Sequence, residues 1–380
     1  MSNADWRANH LTKGGRGEAP AHGAAKVYPE RARRGMPEEF NVLITAASRR
    51  IALIRGFKRV LADSPVGGKV WVTDYDRMAP GLRFADGYHI APLSSSKDYI
   101  PTLLDVCRKR RIKMIIPSID EELPLLGRHK KDFMDIGVIP LVSDERVGLI
   151  CNDKSRTAAF FAGNGFPFAK TFRPDEVDPD TAQYPLFIKP RSGRGSIGAH
   201  PVKDANELKF FTSYVADPVV QEYLEGREYT IDVLAGLDGR ILSVVPRERL
   251  VIRSGVSDKA KTHRSMKLIG LCKTICERLG VVGPVNMQCK VNNGKITFFE
   301  INPRFSGAIQ LTIASGADFF SMIIAEAMGQ RPKPAIGDFK DNLLMLSYED
   351  SLFELNGATL PITSPQPVNG KKAHELAERA

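Results

Sequence analysis

The segment FIKPRSGRGSIG, residues 187–198, contains the spacing G-x-G-x-x-G in Gly193, Gly195 and Gly198. In a dinucleotide-binding fold a helix begins at the third glycine, but here Gly198 leads into AHPV, which has the composition of a strand. In a protein kinase the lysine follows the glycine loop, whereas Lys189 precedes this loop. Neither familiar motif fits. The sequence instead predicts two antiparallel strands, YPLFIKP and IGAHPV, joined by a glycine-rich loop.

This glycine-rich loop combines backbone N–H donors with the basic side chains Lys189, Arg191 and Arg194. Such a loop is suited to covering a triphosphate. Its glycines predict a mobile lid that approaches phosphate closely. A solvated basic hairpin tip is the alternative interpretation of this segment.

Upstream, the chain alternates between strands and helices from Asn41 to Ser143. The strands are NVLITAA, KVWVTD, GYHIAPL, KMIIPS and VIPLVS. This alternation predicts a parallel α/β sheet. Ser48 is the predicted N-cap of the first helix. Because the first strand-helix turn has no glycine fingerprint, Asp74 is predicted to be a loop residue and not a ribose-binding acid.

Length and composition limit the class of protein. A chain of 380 residues predicts two or three subdomains, and 43% hydrophobic with 26% charged residues is typical of a soluble globular protein. The net charge of +10 suits the binding of nucleotides. The sequence has no basic stripe interleaved with aromatic residues, so nucleic-acid binding is not predicted. No apolar run reaches the roughly 18 residues of a membrane span, so we expect no membrane partner and a cytoplasmic location. Five cysteines without C-x-x-C spacing indicate neither zinc nor a disulfide framework.

Two later segments carry polar residues at strand ends. In VVQEYLEGREYTIDVL, residues 219–234, the backbone of residues 222–224 is placed to read an adenine edge and Glu228 to bond ribose hydroxyls. The second segment, VNMQCKVNNGKITFFEINPRF, predicts a hairpin that turns at Asn293 and Gly294.

The register of that hairpin decides which side chains share a face. A three-residue loop, residues 293–295, puts Gln288 opposite Glu300 and Asn286 opposite Asn302. A two-residue turn would move Gln288 to the other face, so only the longer loop is predicted to build a site.

In the favoured register, Gln288, Glu300 and Asn302 present hard oxygen ligands that suit magnesium bound to nucleotide phosphates. Arg304 follows at the end of the strand and points to the same place. The alternative is a plain Glu300–Arg304 ion pair, because a buried carboxylate needs some partner.

Together, KPRSGRGSIG, QEYLEGREYT, NMQ and FEINPRFSG resemble the ATP-grasp superfamily, and residues 41–328 are similar to its carbamoyl-phosphate synthase large-chain-like members. The resemblance implies an α/β and α+β architecture with a Rossmann-like pre-ATP-grasp domain at residues 40–145. A two-subdomain ATP-grasp domain would follow at residues 146–335, with a small lid subdomain at about residues 170–222. Residues 1–39 are predicted to be a disordered basic arm, and residues 336–380 terminal strands and a mobile tail. With one ATP-grasp unit and no internal repeat, synthesis of carbamoyl phosphate by this chain alone is not expected.

Motif matches also imply residue roles. The nucleotide-binding positions are Lys154, Lys189, Gly193, Arg194, Gly195, Ser196, Gln221, Glu222, Tyr223, Leu224 and Glu228. The metal-ligand positions are Gln288, Glu300 and Asn302. Arg304 would lie beside the transferred phosphate. Arg253, from the basic set with Arg247 and Arg249, is a second catalytic candidate that would bind this group or a substrate carboxylate, unless the set faces solvent along a strand. Gln221 departs from the glutamate of many relatives, which leaves strict adenine preference open.

The resemblance implies an ATP-dependent ligase that activates a carboxylate as an acyl phosphate, releases ADP and joins the acyl group to an amine or amino acid. Two Mg²⁺ ions would neutralise the phosphate charge, and Mn²⁺ in their place is compatible with the same ligands. A homodimer is compatible with the resemblance. The alternatives are bicarbonate activation to carboxyphosphate, as in carboxylases, and a catalytically silent nucleotide-binding module.

Overall fold

The computed structural model describes residues 39–193, 195, 197–355 and 358–359. The predicted N-terminal arm, except Glu39, and the predicted tail from residue 360 lie outside the described residues, as do Arg194 and Ser196.

The first part of the chain folds into a five-stranded parallel sheet. Its elements are β1 Asn41–Ile44, α1 Ile51–Asp63, β2 Val70–Asp74, α2 Gly81–Phe84, β3 Gly87–Ile90, α3 Tyr99–Lys109, β4 Ile112–Ile116, α4 Leu123–Arg128, α5 Lys130–Asp135 and β5 Ile139–Pro140. The strand order is β3-β2-β1-β4-β5, and every neighbouring pair is parallel. β1 is buried throughout, as the continuous apolar composition of a central parallel strand requires. The predicted parallel α/β sheet is confirmed.

Two predictions at the carboxyl ends of β1 and β2 are wrong. Arg50, not Ser48, is the N-cap of α1, and no side chain caps that helix. Asp74 is not a loop residue: it ends β2 and is 5% exposed. The two errors share a cause, because the Asp74 carboxylate accepts the backbone N–H of Ser48 at 2.7 Å. That bond holds the β1–α1 turn, in which Ala46 and Ser48 have left-handed φ values of 46° and 37°.

The next elements form a four-stranded antiparallel sheet. They are α6 Glu145–Asn152, α7 Lys154–Gly163, β6 Thr171–Phe172, β7 Leu186–Pro190, β8 His200–Val202, α8 Ala205–Tyr214 and β9 Pro218–Glu222. The order is β6-β9-β7-β8, and β7 pairs with β8 as the glycine-loop segment predicts. Leu186, Ile188, Val202 and Leu208 belong to a separate apolar cluster between this sheet and α8. The four-stranded sheet therefore has a small core of its own.

The remaining elements build a six-stranded antiparallel sheet. They are β10 Arg227–Ala235, β11 Ile241–Arg253, β12 Val256–Thr262, α9 Met266–Leu279, β13 Gly283–Asn292, β14 Lys295–Asn302, α10 Ile309–Ala314, α11 Phe319–Ala327, β15 Leu344–Leu346, β16 Glu354–Leu355 and β17 Ala358–Thr359. The order is β14-β13-β10-β11-β12-β15, while β16 pairs with β17. One apolar cluster joins α1 of the first sheet to α9, α11 and this sheet. None of the helices in the described part of the chain is long and apolar enough to cross a bilayer.

The β13–β14 hairpin has the predicted pairing but not the predicted turn. Asn292 pairs with Lys295, so the turn has two residues, Asn293 and Gly294, with φ values of 48° and 78°. A bulge at Phe299 then shifts the register by one residue. The predicted pairing of Gln288 with Glu300 and of Asn286 with Asn302 is therefore confirmed, while the three-residue loop is wrong.

The α1–α11 contact depends on the absence of a side chain at Gly56. A Cβ there would lie 2.1 Å from the ring of Phe320, which is 2% exposed and packs 4.8 Å from Phe57. We expect Gly56→Ala to lower the free energy of unfolding by about 1–3 kcal/mol, measured by urea denaturation. The matched control is Gly270→Ala in α9, where nothing lies within 4 Å of an added Cβ. That variant should be stabilised by roughly 0.5–1 kcal/mol, and equal effects of the two would contradict the packing.

Candidate functional site

A cleft of about 300 Å³ is lined by both antiparallel sheets and by the loop between β7 and β8. The predicted residues in its lining are Lys154, Lys189, Gly193, Gly195, Gln221, Glu222, Tyr223, Leu224, Glu228, Gln288 and Glu300. Residues distant in the sequence thus meet in one place. The volume is at the lower end of ordinary small-molecule sites.

Side-chain hydrogen bonds fix the end of β9 and the connector between β9 and β10. Gln221 donates from Nε2 to Thr171 Oγ1 at 2.7 Å, which fixes the orientation of its amide. Lys290 Nζ donates to the Leu224 carbonyl at 2.8 Å and lies 5.6 Å from the centre of the Tyr223 ring. The sequence analysis missed Lys290. Its position two residues after Gln288 on β13, on the same face, is the signal that could have identified it.

Lys189 is a buried cation with no hydrogen-bond partner among the residues that the structure describes. Its residue is 6% exposed, and Nζ lies 5.4 Å from the centre of the Phe299 ring and 6.0 Å from that of Phe187. Burial lowers the pKa of Lys189 to about 8, although the neighbouring Glu300 carboxylate opposes the shift. An anionic ligand would replace the lost hydration of this ammonium.

Lys154 occupies the other side of the glycine-rich loop. It begins α7, which Asp153 caps by accepting two backbone N–H groups, those of Ser155 and Arg156. Lys154 Nζ donates to the Gly193 carbonyl at 3.2 Å. Two ammonium groups therefore border the loop that the sequence predicts to cover phosphate.

The predicted metal-ligand positions lie side by side. Asn302 is not in the cleft lining, but its Nδ2 donates to Glu300 Oε1 at 2.8 Å. Gln288 lies directly opposite Glu300 in the ladder. No group of three His, Cys, Asp or Glu among the described residues could hold a metal. The oxygens here are those of one carboxylate and two amides, so a hard cation would need further oxygens from its ligand.

Arg304 does not line the cleft but is bound by Asp120. Its Nε and Nη2 donate to that carboxylate at 2.7–3.0 Å, and its Nη1 donates to the Phe305 carbonyl. Burial opposes the charge, yet the pKa of Arg304 lies above its usual value because of Asp120. The alternative Glu300–Arg304 ion pair is wrong, since Asp120 is the carboxylate partner. The sequence analysis missed Asp120, which lies 184 positions away.

The three arginines of β11 do not share one solvent-facing side. Arg247 is 1% exposed and pairs with Asp232 at 2.8 Å, and Arg249 is 9% exposed in the cleft. Register shifts after Arg249 then turn Arg253 outward, where its side chain is 64% exposed and contacts Glu349 at 2.8 Å. The solvent-facing interpretation is wrong for Arg247 and Arg249. Arg253, predicted to be catalytic, lies outside the cleft lining.

Comparisons with known proteins agree with this architecture. Residues 215–350 match the family described as ATP-grasp in the biosynthetic pathway with Ter operon, and residues 42–141 match the PylC-like N-terminal domain. The chain is 26% identical over 200 residues to 3-methyl-D-ornithine--L-lysine ligase of Methanosarcina mazei. The aligned region covers 52% of this chain and 48% of that enzyme. The chain therefore spans about half the length of that relative.

Two solved structures share the fold. An L-amino acid ligase from Bacillus licheniformis has a TM-score of 0.61 at 16% identity, and the superposition covers 80% of this chain and 78% of the ligase chain. The biotin carboxylase domain of Hydrogenobacter thermophilus 2-oxoglutarate carboxylase has a TM-score of 0.64 at 16% identity, covering 81% and 74%. At this identity the likeness concerns the fold alone. The predicted resemblance to ATP-grasp proteins is confirmed.

The Asp120–Arg304 pair should contribute strongly to stability. Both side chains are nearly buried, at 7% and 11% exposed, so Asp120→Ala leaves an uncompensated guanidinium. We expect a loss of about 3 kcal/mol in the free energy of unfolding, measured in urea. The matched control, Asp135→Ala, removes an exposed pair with Lys131 and should cost under about 0.5 kcal/mol. Similar losses in both variants would contradict the burial of the pair.

Lys189 should destabilise the ligand-free protein. Its pKa is lowered in the folded state, so the cost of the charge is complete below about pH 8 and is relieved as pH rises toward the unfolded value. We expect Lys189→Met to raise the free energy of unfolding at pH 7 by about 1–3 kcal/mol, with a smaller gain near pH 10. The measurement is urea denaturation at both pH values. Lys131→Met, at an exposed position, should change neither, and a destabilised Lys189→Met would show that the ammonium is satisfied.

Proposed function

We propose that this chain, which has the ATP-grasp fold, is an ATP-dependent carboxylate-amine ligase. It would activate a carboxylate as an acyl phosphate, release ADP and join the acyl group to an amine or amino acid. One observation carries the proposal: the buried ammonium of Lys189, which has no hydrogen-bond acceptor among the described residues, faces the same cleft as Glu300 and Gln288. The relatives named as ligases support the choice of reaction.

The cleft residues fit a nucleoside triphosphate. Lys154 and Lys189 would contact its phosphates from two sides under the glycine-rich loop. The backbone of residues 222–224 would read the base beside Gln221, and Glu228 would accept from the ribose hydroxyls. Gly193 and Gly195 would approach the phosphates closely because they carry no side chain. Arg194 and Ser196 keep their proposed roles in that loop, although they lie outside the residues that the structure describes.

The donor set also fits magnesium. Gln288 and Glu300 would hold Mg²⁺ through hard oxygens, with nucleotide phosphates completing the shell. Asn302 would join them once its amide rotates, since its Nδ2 rather than its oxygen now faces Glu300. Bound Mg²⁺ would neutralise the charge that develops as ADP leaves. We propose two ions, with Mn²⁺ as a substitute.

The proposed reaction has two steps. A substrate carboxylate oxygen attacks the γ-phosphorus, and the bond between that phosphorus and the ADP oxygen breaks. An amine nitrogen then attacks the acyl carbon, the carbon-nitrogen bond forms, phosphate leaves and the nitrogen loses a proton. Lys189, with a pKa of about 8 before any phosphate is near, remains mostly protonated at neutral pH and can hold the transferred group.

Arg304 keeps two N–H donors for an anion. Asp120 occupies Nε and one hydrogen of Nη2, and the Phe305 carbonyl occupies one hydrogen of Nη1. Within the described part of the chain, one hydrogen on each terminal nitrogen has no acceptor, which suits a bidentate contact with the transferred phosphoryl group. Arg253 would reach a substrate carboxylate only by exchanging its contact with Glu349.

Bicarbonate activation is the second candidate function. The carboxylase domain that shares this fold was crystallised as a dimer with MgADP and bicarbonate. A homodimer of this chain and a cytoplasmic location are compatible with both candidates.

Release of ADP and phosphate from ATP tests the proposal directly. Stimulation by pooled amino acids, with loss of free amine, would support the ligase. Stimulation by bicarbonate alone would favour carboxyphosphate formation instead. ATP binding without turnover under either condition would leave only a nucleotide-binding module and would overturn the ligase proposal.

Glu300 is the single charge of the proposed metal site. We expect Glu300→Gln to lower ATP turnover at least about 100-fold with the fold intact, since it removes charge compensation where γ-phosphate charge develops. The control is Glu277→Gln, at an exposed pair with Lys273 on α9, which should leave turnover unchanged. Turnover of Glu300→Gln within about threefold of wild type, under 1 kcal/mol, would show that Glu300 is not a metal ligand.

A further inference from the structure

Arg249 occupies the floor of the cleft with three oxygen acceptors around it. Its Nη1 donates to Glu228 Oε1 at 2.6 Å and to Gln288 Oε1 at 3.2 Å, and its Nη2 donates to the Gly255 carbonyl at 2.7 Å. The side chain is 4% exposed. The acceptors come from three different segments, β10, β13 and the β11–β12 turn, so they fix the plane of the guanidinium.

Arg249 is poorly explained as a stabilising residue. Its buried Nε has no hydrogen-bond partner within the described part of the chain, and burial lowers the pKa of the guanidinium. The second buried guanidinium, Arg247, also acts in this direction. An orphaned buried donor is costly, and a buried ion pair contributes little net stability. The residue therefore calls for a functional explanation.

Two of the three contacts hold the Arg249 guanidinium in place, and the third orients a carboxylate. Gly255 offers a backbone carbonyl, and Gln288 offers a neutral amide, so both hold the guanidinium in place. Glu228 is the carboxylate among the three acceptors. Arg249 engages only its Oε1, while Oε2 remains able to accept a further hydrogen bond. The side chain of Glu228 is 20% exposed, toward the cleft that it lines.

We propose that Arg249 is a positioning residue that sets sugar specificity: it holds the Glu228 carboxylate in one orientation and aims Oε2 at a ribose hydroxyl. The inference rests on the proposed nucleotide-binding function and adds the residue that makes it selective for ribonucleotides. A hydroxyl donating to a carboxylate is a strong hydrogen bond only if that carboxylate is charged and correctly directed. Without the guanidinium, Glu228 could rotate and satisfy itself with water or with Lys290, its neighbour across the β10–β13 ladder.

The test compares ATP with its 2′-deoxy and 3′-deoxy analogues, by calorimetry on the full chain with Mg²⁺. The wild-type protein should bind ATP about 10- to 100-fold more tightly than it binds whichever of the two analogues has the lower affinity. In Arg249→Met this ratio should fall toward one, mainly through loss of ATP affinity. Arg249→Lys, which keeps the charge but not the fork, should be intermediate. The control Arg227→Met, an exposed neighbour of Glu228, should keep the wild-type ratio.

A double variant separates positioning from direct contact. If Arg249 acts through Glu228, Glu228→Gln abolishes the sugar discrimination and adding Arg249→Met lowers ATP affinity no further. Additive losses, or an equal loss for ATP and both deoxy analogues in Arg249→Met, would overturn the proposal and indicate that Arg249 contacts the phosphates. If Arg249→Met fails to fold, a wild-type ratio in Arg249→Lys overturns it.

The wild-type measurement separates this inference from the proposed function. Tight binding of ATP with no preference over its deoxy analogues would overturn the role of Arg249 and leave the nucleotide site standing. No binding of ATP at all would overturn both.

Discussion

The pairing of Gln288 with Glu300 across β13 and β14 is the constraint on which the rest of the cleft depends. Side chains alternate along a strand, so a slip of one residue would send every polar group of β14 to the opposite face. The two-residue turn at Asn293 alone would impose that slip, and the bulge at Phe299 reverses it. The bulge has a second consequence. Phe299 and Glu300 are adjacent in sequence and yet both line the cleft, so an aromatic ring and a carboxylate reach Lys189 from the same strand.

The buried Arg247–Asp232 pair and the cleft differ in how well their positive charges are matched by acidic partners. Arg247 and Asp232 form a closed pair, each 1% exposed, that Thr312 and Ser306 complete with hydrogen bonds. Arg247 Nη1 still lacks a hydrogen-bond partner within the described part of the chain, but the charge of this arginine is matched by a carboxylate in direct contact. The cleft is different. Among the described residues, Lys189 Nζ has cation–π contacts and the charge of the neighbouring Glu300 carboxylate but no hydrogen-bonded counter-ion, so this cation is incompletely compensated. A polyanion is the chemical class that would complete such a site.

The sequence predicted those features of the fold that depend on the pattern of residues within one strand or helix. Alternating apolar runs predicted the parallel sheet, and the strand-loop-strand pattern predicted the β7–β8 hairpin, because both follow from the period of side chains along one element. Matching of motifs identified half of the residues that line the cleft. The errors involve contacts between distant segments: Asp74 bonds the backbone of Ser48, and Asp120 takes Arg304 across 184 positions. No spacing rule reports such pairs. The bulge was missed for a related reason, since one inserted residue leaves the composition of β14 unchanged.

Asp120 links two parts of the molecule that the proposed reaction needs together. It follows β4, at the carboxyl edge of the parallel sheet, where ligands of open α/β sheets usually bind. Arg304 follows Glu300 and Asn302 at the end of β14. The ion pair therefore fixes the carboxyl edge of the parallel sheet against the end of β14 that carries the proposed metal ligands. In the proposed reaction, the phosphoryl group held by Arg304 would lie next to that edge, and side chains after β1 and β4 would border the acyl carbon. Thr45 and Glu122, which share a buried hydrogen bond of 2.6 Å, already order those two segments relative to each other. A rigid edge of this kind would favour attack by a bound amine over attack by water, because the amine can be held at a fixed angle to the acyl phosphate.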